Sequence, residues 1–190
     1  MPIRNDSQRW GALSIALHWL TFVLVLGMAI VGLLMTELAN SPLKIQVYAL
    51  HKSFGLTVLG LTVLRLLWRF GGRVPAPVPG TPAWQHHIAR LTHGALYLLL
   101  LAVPLSGWWF NSAAGFPLRW FGLVKLPALA AFDPELKILA RETHEILFYS
   151  LAALVLVHSG AALWHHYRRR DRTLVRMLPL IELQQKGSSL

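Results

Sequence analysis

Two histidines of the chain, His144 and His158, lie fourteen residues apart within one apolar segment. Fourteen residues of α-helix make almost four turns, so the imidazoles fall about 40° apart around the helix and about 21 Å apart along its axis. A histidine inside a bilayer is costly and usually functional. Two on one face, near opposite sides of the membrane, predict two stacked cofactors. Haem suits them, because a neutral imidazole is a common axial ligand of its iron.

The composition is typical of a small protein with several membrane spans. Of the 190 residues, 55% are hydrophobic and only 14% are charged. There is no cysteine, which excludes disulfides, thiolate zinc sites, iron–sulfur clusters and covalent haem attachment through Cys-x-x-Cys-His. The net charge is +10. Its basic residues flank apolar runs, so they indicate membrane anchors rather than a nucleic-acid interface.

Four apolar runs reach the length of a membrane span, which is about 20 residues. They cover residues 11–35, 45–68, 91–110 and 144–166, with Pro104 as an expected kink in the third. The sequence therefore predicts an all-α integral membrane protein, a four-helix bundle in one domain (1–179) followed by a cytoplasmic tail (180–190). The proline-rich link 69–90 is expected to be an extended loop, and the link 111–143 an amphipathic interfacial lid.

The distribution of Lys and Arg predicts the orientation of the chain. Eleven basic residues lie in the N-terminus, second link and tail, against five in the first and third links. Cytoplasmic loops carry the excess of Lys and Arg, so both termini are expected in the cytoplasm. The link 111–143 then faces the outside, which is the periplasm if the source is a Gram-negative bacterium, with the chain in its inner membrane.

The depth of each histidine below the basic cytoplasmic rim separates candidate ligands from surface residues. At 1.5 Å per helical residue, His18 and His158 lie about 13 and 15 Å from the cytoplasmic rim, at one level. His51 and His144 lie about 27 and 36 Å from it, near the outer face. A hydrogen bond between helices would be the better interpretation for any one of them alone. Four that pair by depth favour ligands of two irons, and Gly55, one turn after His51, leaves room for a porphyrin.

The other histidines and the basic residues have weaker interpretations. His93 lies only about 4–5 Å from Arg90, so we expect an interfacial histidine that contacts a haem propionate or a backbone carbonyl. Four histidines at or beyond the rim are expected to be solvated: His86, His87, His165 and His166. The candidate propionate contacts are Lys52 at the outer site and Arg9, Arg65 and Arg69 at the inner site. For Arg65, snorkelling to the headgroups is an equal alternative.

Five stretches of the sequence resemble the bacterial cytochrome b561 family. They are Ile-Ala-Leu-His-Trp-Leu (15–20), His-Lys-Ser-Phe-Gly (51–55), Arg-Leu-Leu-Trp-Arg (65–69), Thr-His-Glu (143–145) and the run 165–179, which begins His-His-Tyr-Arg-Arg-Arg-Asp. The last is the most specific, and the resemblance covers nearly the whole chain. It implies a bundle with two b-type haems, the inner one held by His18 and His158 and the outer one by His51 and His144.

Within this family the chain is most similar to the superoxide oxidase type, which implies electron transfer from superoxide at the periplasmic side to ubiquinone. Lys52, Arg119 and Lys125 are candidates for steering this anion. The family also includes electron-carrying subunits that dock a dehydrogenase, so a relay from a periplasmic redox partner to quinone is the alternative. A haem-free transporter or scaffold is a second alternative, in which the histidines would relay protons.

Overall fold

The computed structural model describes residues 2–78 and 80–179, so the tail predicted at 180–190 lies outside the described residues. In this part of the chain four helices are long and apolar enough to cross a membrane. They are α1 (Ala12–Glu37), α2 (Pro42–Phe70), α3 (Ala83–Ala113) and α4 (Pro134–Trp164). The all-α, four-span membrane bundle predicted from the sequence is confirmed.

Two helices begin well before the apolar runs that predict them. Helix α3 begins at Ala83, directly after Pro82. Helix α4 begins at Pro134 because the side chain of Asp133 accepts hydrogen bonds from the backbone N–H groups of Glu135 (2.9 Å) and Leu136 (3.0 Å). Caps of this kind start a helix irrespective of hydropathy. The polar first turns of α3 and α4 therefore extend beyond the segments that hydropathy detects.

The main helix contacts follow chain order. Helix α1 packs on α2, α2 on α3, and α3 on α4. Val58, Leu100 and Leu151 form the buried core where α2, α3 and α4 meet. In the described part of the chain, direct contact of α4 with α1 or α2 is slight by comparison. The faces of α4 that look toward α1 and α2 are therefore where the bundle has room for a flat cofactor.

The link between α3 and α4 contains a β-hairpin. Strand β1 (Leu118–Trp120) pairs antiparallel with β2 (Val124–Leu126). Phe121 and Gly122 form its turn with positive φ angles of 46° and 76°, the left-handed conformations that tight hairpin turns need. The indole N–H of Trp120 donates to Thr57 Oγ1 (3.1 Å) and the backbone N–H of Phe121 donates to Ser53 Oγ (3.0 Å). The expected interfacial lid is thus a hairpin fixed to α2.

The opposite end of the bundle, the tail end, is closed by the segment after α4. One π-helical turn (His165–Arg169) and a short 3₁₀ turn (Val175–Met177) fold this segment back under the helices. Trp19 of α1 donates its indole N–H to the carbonyl of Met177 (2.6 Å). Burial raises the pKa of Asp171, but hydrogen bonds from His165 and Thr173 outweigh it and leave that pKa below its usual value. The hairpin end and the tail end are therefore both tied to the spanning helices.

Candidate functional site

The structure places histidines at two levels of the bundle. At the hairpin end, His51 of α2 and His144 of α4 line one cavity of about 720 Å³. Apolar side chains from all four helices make up most of its wall, among them Phe22, Val103 and Leu151. Small-molecule and cofactor sites typically enclose about 300–1,000 Å³. The cavity is therefore the size of a cofactor site, with an imidazole from each of two helices that scarcely contact each other.

The His144 ring is held in one orientation by α3. Its Nδ1 lies 3.0 Å from the carbonyl oxygen of Val103 and 3.0 Å from Ser106 Oγ. Because a carbonyl only accepts hydrogen bonds, Nδ1 carries the proton and donates. Nε2 is then the nitrogen with a free lone pair, which is the tautomer that a metal ligand needs.

Both imidazoles of the cavity lie against glycines. A Cβ at Gly32 of α1 would lie 3.1 Å from Cε1 of His51, and one at Gly107 of α3 would lie 3.0 Å from Cε1 of His144. The Nδ1 atom of His51 is buried without a hydrogen-bond partner among the described residues. A buried polar atom without a partner is costly. The close approach of both rings to glycines, together with the tautomer of His144, fits a haem held between the two rings. The Nδ1 atom of His51, which has no partner among the described residues, indicates that this ring is placed to contact a group other than protein.

At the tail end, the rings of His18 of α1 and His158 of α4 lie edge to face, with centroids 6.4 Å apart and ring planes at 63°. Metal–nitrogen bonds of about 2.0–2.1 Å on both sides would separate opposed ring centroids by about 6–6.5 Å. The distance fits a single metal ion between the two rings. These residues again belong to two helices with little direct contact.

His93 of α3 lies at this same level, and the depth predicted for it was wrong. Its ring centroid is 5.4 Å from that of His158, closer than that of His18. The prediction measured depth from Arg90 as if that residue marked the membrane rim. Helix α3 begins at Ala83, so Arg90 is already two turns inside the helix. His93 therefore belongs to the tail-end cluster.

Arginines surround the tail-end histidines. Nη2 of Arg65 lies 3.3 Å from Nδ1 of His18, so this side chain points into the bundle rather than snorkelling to the headgroups. The guanidinium groups of Arg65 and Arg69 lie 5.4 and 5.8 Å from the ring centre of Tyr97. A guanidinium only donates hydrogen bonds. Nδ1 of His18 is therefore an acceptor here, so ligation through Nε2 requires Arg65 to release it.

The other candidate residues lie apart from the histidine pairs. Arg9 is exposed in the N-terminal segment, with its backbone N–H bonded to Asp6. Arg119 and Lys125 are exposed and face each other across the hairpin. Lys52 lines the cavity beside His51. Four peripheral histidines lie at helix ends of the tail end: His86, His87, His165 and His166.

Sequence reasoning missed the residues that orient the ligands. Val103, Ser106 and Gly107 lie on α3, which carries no ligand candidate among the four paired histidines, so nothing in the pattern directed attention to them. Asn111, which contacts Lys52, was missed for the same reason. A Ser-Gly pair facing a histidine on the neighbouring helix is the signal that a helical-wheel comparison of α3 and α4 would reveal.

Four spanning helices that bring partly buried histidines together at two levels form the architecture of a membrane-bound b-type cytochrome. Residues 9–180 match the family described as prokaryotic cytochrome b561. The chain belongs to this family, whose members are electron-transfer proteins that bind b-type haem in bacterial membranes.

Curated relatives agree with this membership. "Cytochrome b561 homolog 2" of Escherichia coli is 36% identical over 179 residues, which cover 94% of this chain and 95% of the relative. "Cytochrome b562" of Cereibacter sphaeroides is 34% identical over 172 residues, covering 87% and 92%. "Probable superoxide oxidase CybB" of Yersinia pestis is 28% identical over 172 residues, covering 90% and 97%.

Proposed function

We propose that this chain is a di-haem cytochrome b that transfers electrons from superoxide to ubiquinone, with the His51–His144 pair holding one haem and the His18–His158 pair the other. The observation that carries the proposal is the pairing of histidines at two levels along α4. The metal-sized gap at one level and the cofactor-sized cavity at the other support one haem at each.

A haem held by these histidine pairs would supply a reversible one-electron couple. The task of this chain's own residues would be to bind, orient and insulate that group. Val103 and Ser106 fix the His144 ring. The apolar cavity wall excludes water. In the balanced reaction, two superoxide anions lose one electron each and become dioxygen, while one quinone takes up two electrons and two protons to become quinol.

The basic hairpin supports an anionic substrate. Arg119 and Lys125 are directly opposite each other on one face of the hairpin, and both are exposed. Like charges in such a cross-strand pair repel, and a passing anion relieves that repulsion. Positive surface potential raises the encounter rate of an anion. Asp133, Glu135 and Glu142 lie in the same region and weaken the field.

The proposed orientation places the hairpin in the periplasm and both termini in the cytoplasm of a bacterial inner membrane. The excess of Lys and Arg at the tail end supports it. Ubiquinone, which is lipid-soluble, would then reach the protein from the bilayer. The name of the Yersinia pestis relative, a probable superoxide oxidase, supports superoxide as the donor.

A second candidate is a relay between a periplasmic redox partner and quinone. Apolar side chains on and beside the hairpin are exposed, including Phe116 (63%), Leu123 (80%) and Phe132 (67%). Exposed apolar patches often mark protein or membrane contacts. Co-purification of a dehydrogenase that reduces the haems faster than superoxide does would favour this candidate.

The decisive experiment is stopped-flow reduction of the purified, haem-loaded protein by superoxide, with and without ubiquinone. We expect rapid reduction, reoxidation by quinone, and loss of the signal when superoxide dismutase is added. Haem-loaded protein that superoxide cannot reduce would exclude the superoxide function. Absence of b-type absorption bands in haem-sufficient preparations would instead favour the haem-free alternative.

Ligand variants test the haem assignment separately. His144→Ala and His158→Ala should each lower the haem content from two per chain to one, with different absorption bands lost. His87→Ala is the control, because that side chain is exposed and its single hydrogen bond among the described residues is to the carbonyl of Ala83 (2.9 Å). Retention of both haems in either ligand variant would contradict the pairing.

A further inference from the structure

Lys52 is a partly buried cation with a neutral partner. It follows His51 on α2 and lines the hairpin-end cavity. Its ammonium donates to Oδ1 of Asn111 (3.1 Å). In the part of the chain that the structure describes, Lys52 forms no ion pair. Removing an ammonium from water without a counter-charge is costly. The side chain is therefore placed for an anion that comes from outside the chain.

Asn111 fixes the position of that ammonium. Asn111 is buried, with 6% of its surface exposed. Its Nδ2 donates to the carbonyl of Phe116 (2.8 Å), and the backbone N–H of Phe116 donates to the carbonyl of Asn111 (3.2 Å). Because Nδ2 is engaged by a carbonyl, Oδ1 must face Lys52. Asn111 thus connects the start of the hairpin link to the cation beside His51.

The other charged residues that line the cavity are also positive. Lys44 and Lys137 also line the cavity, and its described lining residues include no Asp or Glu. The ammonium of Lys44 donates to the carbonyls of Leu38 (2.7 Å) and Thr36 (3.3 Å), and within the described ranges 2–78 and 80–179 it has no carboxylate partner. Three cations around one apolar cavity attract negative charge to its mouth.

We propose that Lys52, positioned by Asn111, forms an anion subsite at the mouth of the hairpin-end cavity that binds a carboxylate or a small oxyanion. This inference rests on the proposed function, which supplies both sources: the carboxylates of a bound haem and the superoxide substrate. Asn111 acts through Lys52 and is a positioning residue.

The test compares Lys52→Gln and Lys52→Arg with Lys125→Gln, which removes one positive charge from the exposed hairpin and leaves the cavity intact. One measurement is the rate of haem release to excess apomyoglobin. The other is the rate of reduction by superoxide at several salt concentrations. Loss of one charged hydrogen bond predicts that the affected rate changes by about tenfold or more in Lys52→Gln. In Lys52→Arg that rate should return most of the way to the value of the unmodified protein. Lys125→Gln should leave the rate of haem release unchanged.

The two measurements distinguish the sources of the anion. Faster haem release from Lys52→Gln identifies a cofactor carboxylate, and it is measurable even if superoxide is not the donor. A slower superoxide reaction with unchanged haem release identifies the substrate anion. If Lys52→Gln matches the unmodified protein in both rates, the subsite does not exist.

A double-mutant cycle tests the role of Asn111. Asn111→Ala should reproduce the effect of Lys52→Gln and add little to it in the double variant, because both changes remove the same positioned charge. If Asn111 had a purely structural role, Asn111→Ala would change the rates by the same factor with Lys52 present or replaced, and the effects of the two substitutions would add. Additivity would therefore overturn the assignment of Asn111 as a positioning residue, and thermal unfolding of each variant checks that it folds.

Discussion

Replacement of Gly32 by alanine is the sharpest test of the hairpin-end pair. A Cβ at this position would lie 3.1 Å from Cε1 and 3.7 Å from Nδ1 of His51. Carbon atoms in optimal contact are about 3.5–4.0 Å apart, so the imidazole would have to move by about 0.4–0.9 Å. The new methyl group would therefore turn the ring away from its present orientation.

The expected cost follows from the side-chain torsions of His51. Forcing a side chain off its rotamer costs about 0.5–1.5 kcal/mol, which weakens binding by about 2–13-fold. Gly27→Ala is the matched control. It lies on the same helix, is exposed and would place its Cβ in open space. Both substitutions raise helix propensity, by about 0.8–1.0 kcal/mol, so stability alone cannot separate the two variants.

The assay measures the haem-to-protein ratio, the rate of haem release to apomyoglobin and the midpoint potentials of both haems. Gly32→Ala should accelerate release of one haem and shift its potential, while Gly27→Ala leaves both unchanged. Equal release rates in the two variants would refute the argument that Gly32 shapes the His51 site.

Three further predictions concern single contacts. Ser106→Ala leaves the carbonyl bond of His144 in place, so haem affinity should fall less than tenfold, and complete loss of a haem would contradict this. Arg65→Gln should change the release rate and potential of the tail-end haem and leave the other haem unaffected in optical redox titrations. The lowered pKa of Asp171 means that its bond to His165 contributes fully above the ordinary value of 3.8 and is lost as the pH falls through the lower folded value. Asp171→Asn should remove that part of the acid dependence of thermal unfolding, and an unchanged profile would show that the contact is unimportant.

The sequence predicts the spanning helices well because hydropathy determines them, and it predicts their ends poorly because capping determines those. Asp133 caps α4, which begins at Pro134, ten residues before the predicted start of the apolar run at residue 144. The same error displaced His93, whose depth was measured from a residue inside α3. The hairpin was missed because its turn, Phe121–Gly122, lies in an aromatic stretch whose amphipathic pattern suggested an interfacial segment.

The largest gap between sequence and site concerns α3. None of the four paired histidines lies on this helix. In the folded bundle it packs directly on α4 and contacts both histidines of that helix, His144 through Ser106 and His158 through His93. The orientation of the two proposed ligands on α4 is therefore set by α3. The opposing rings come from His18 of α1 and His51 of α2, two helices that contact α4 little. A substitution on the α4-facing side of α3 should consequently alter the proposed haem at its own level, the hairpin-end one for Ser106 and the tail-end one for His93. A substitution on the lipid-facing side of α3 should alter neither, and redox titration of paired variants distinguishes the two cases.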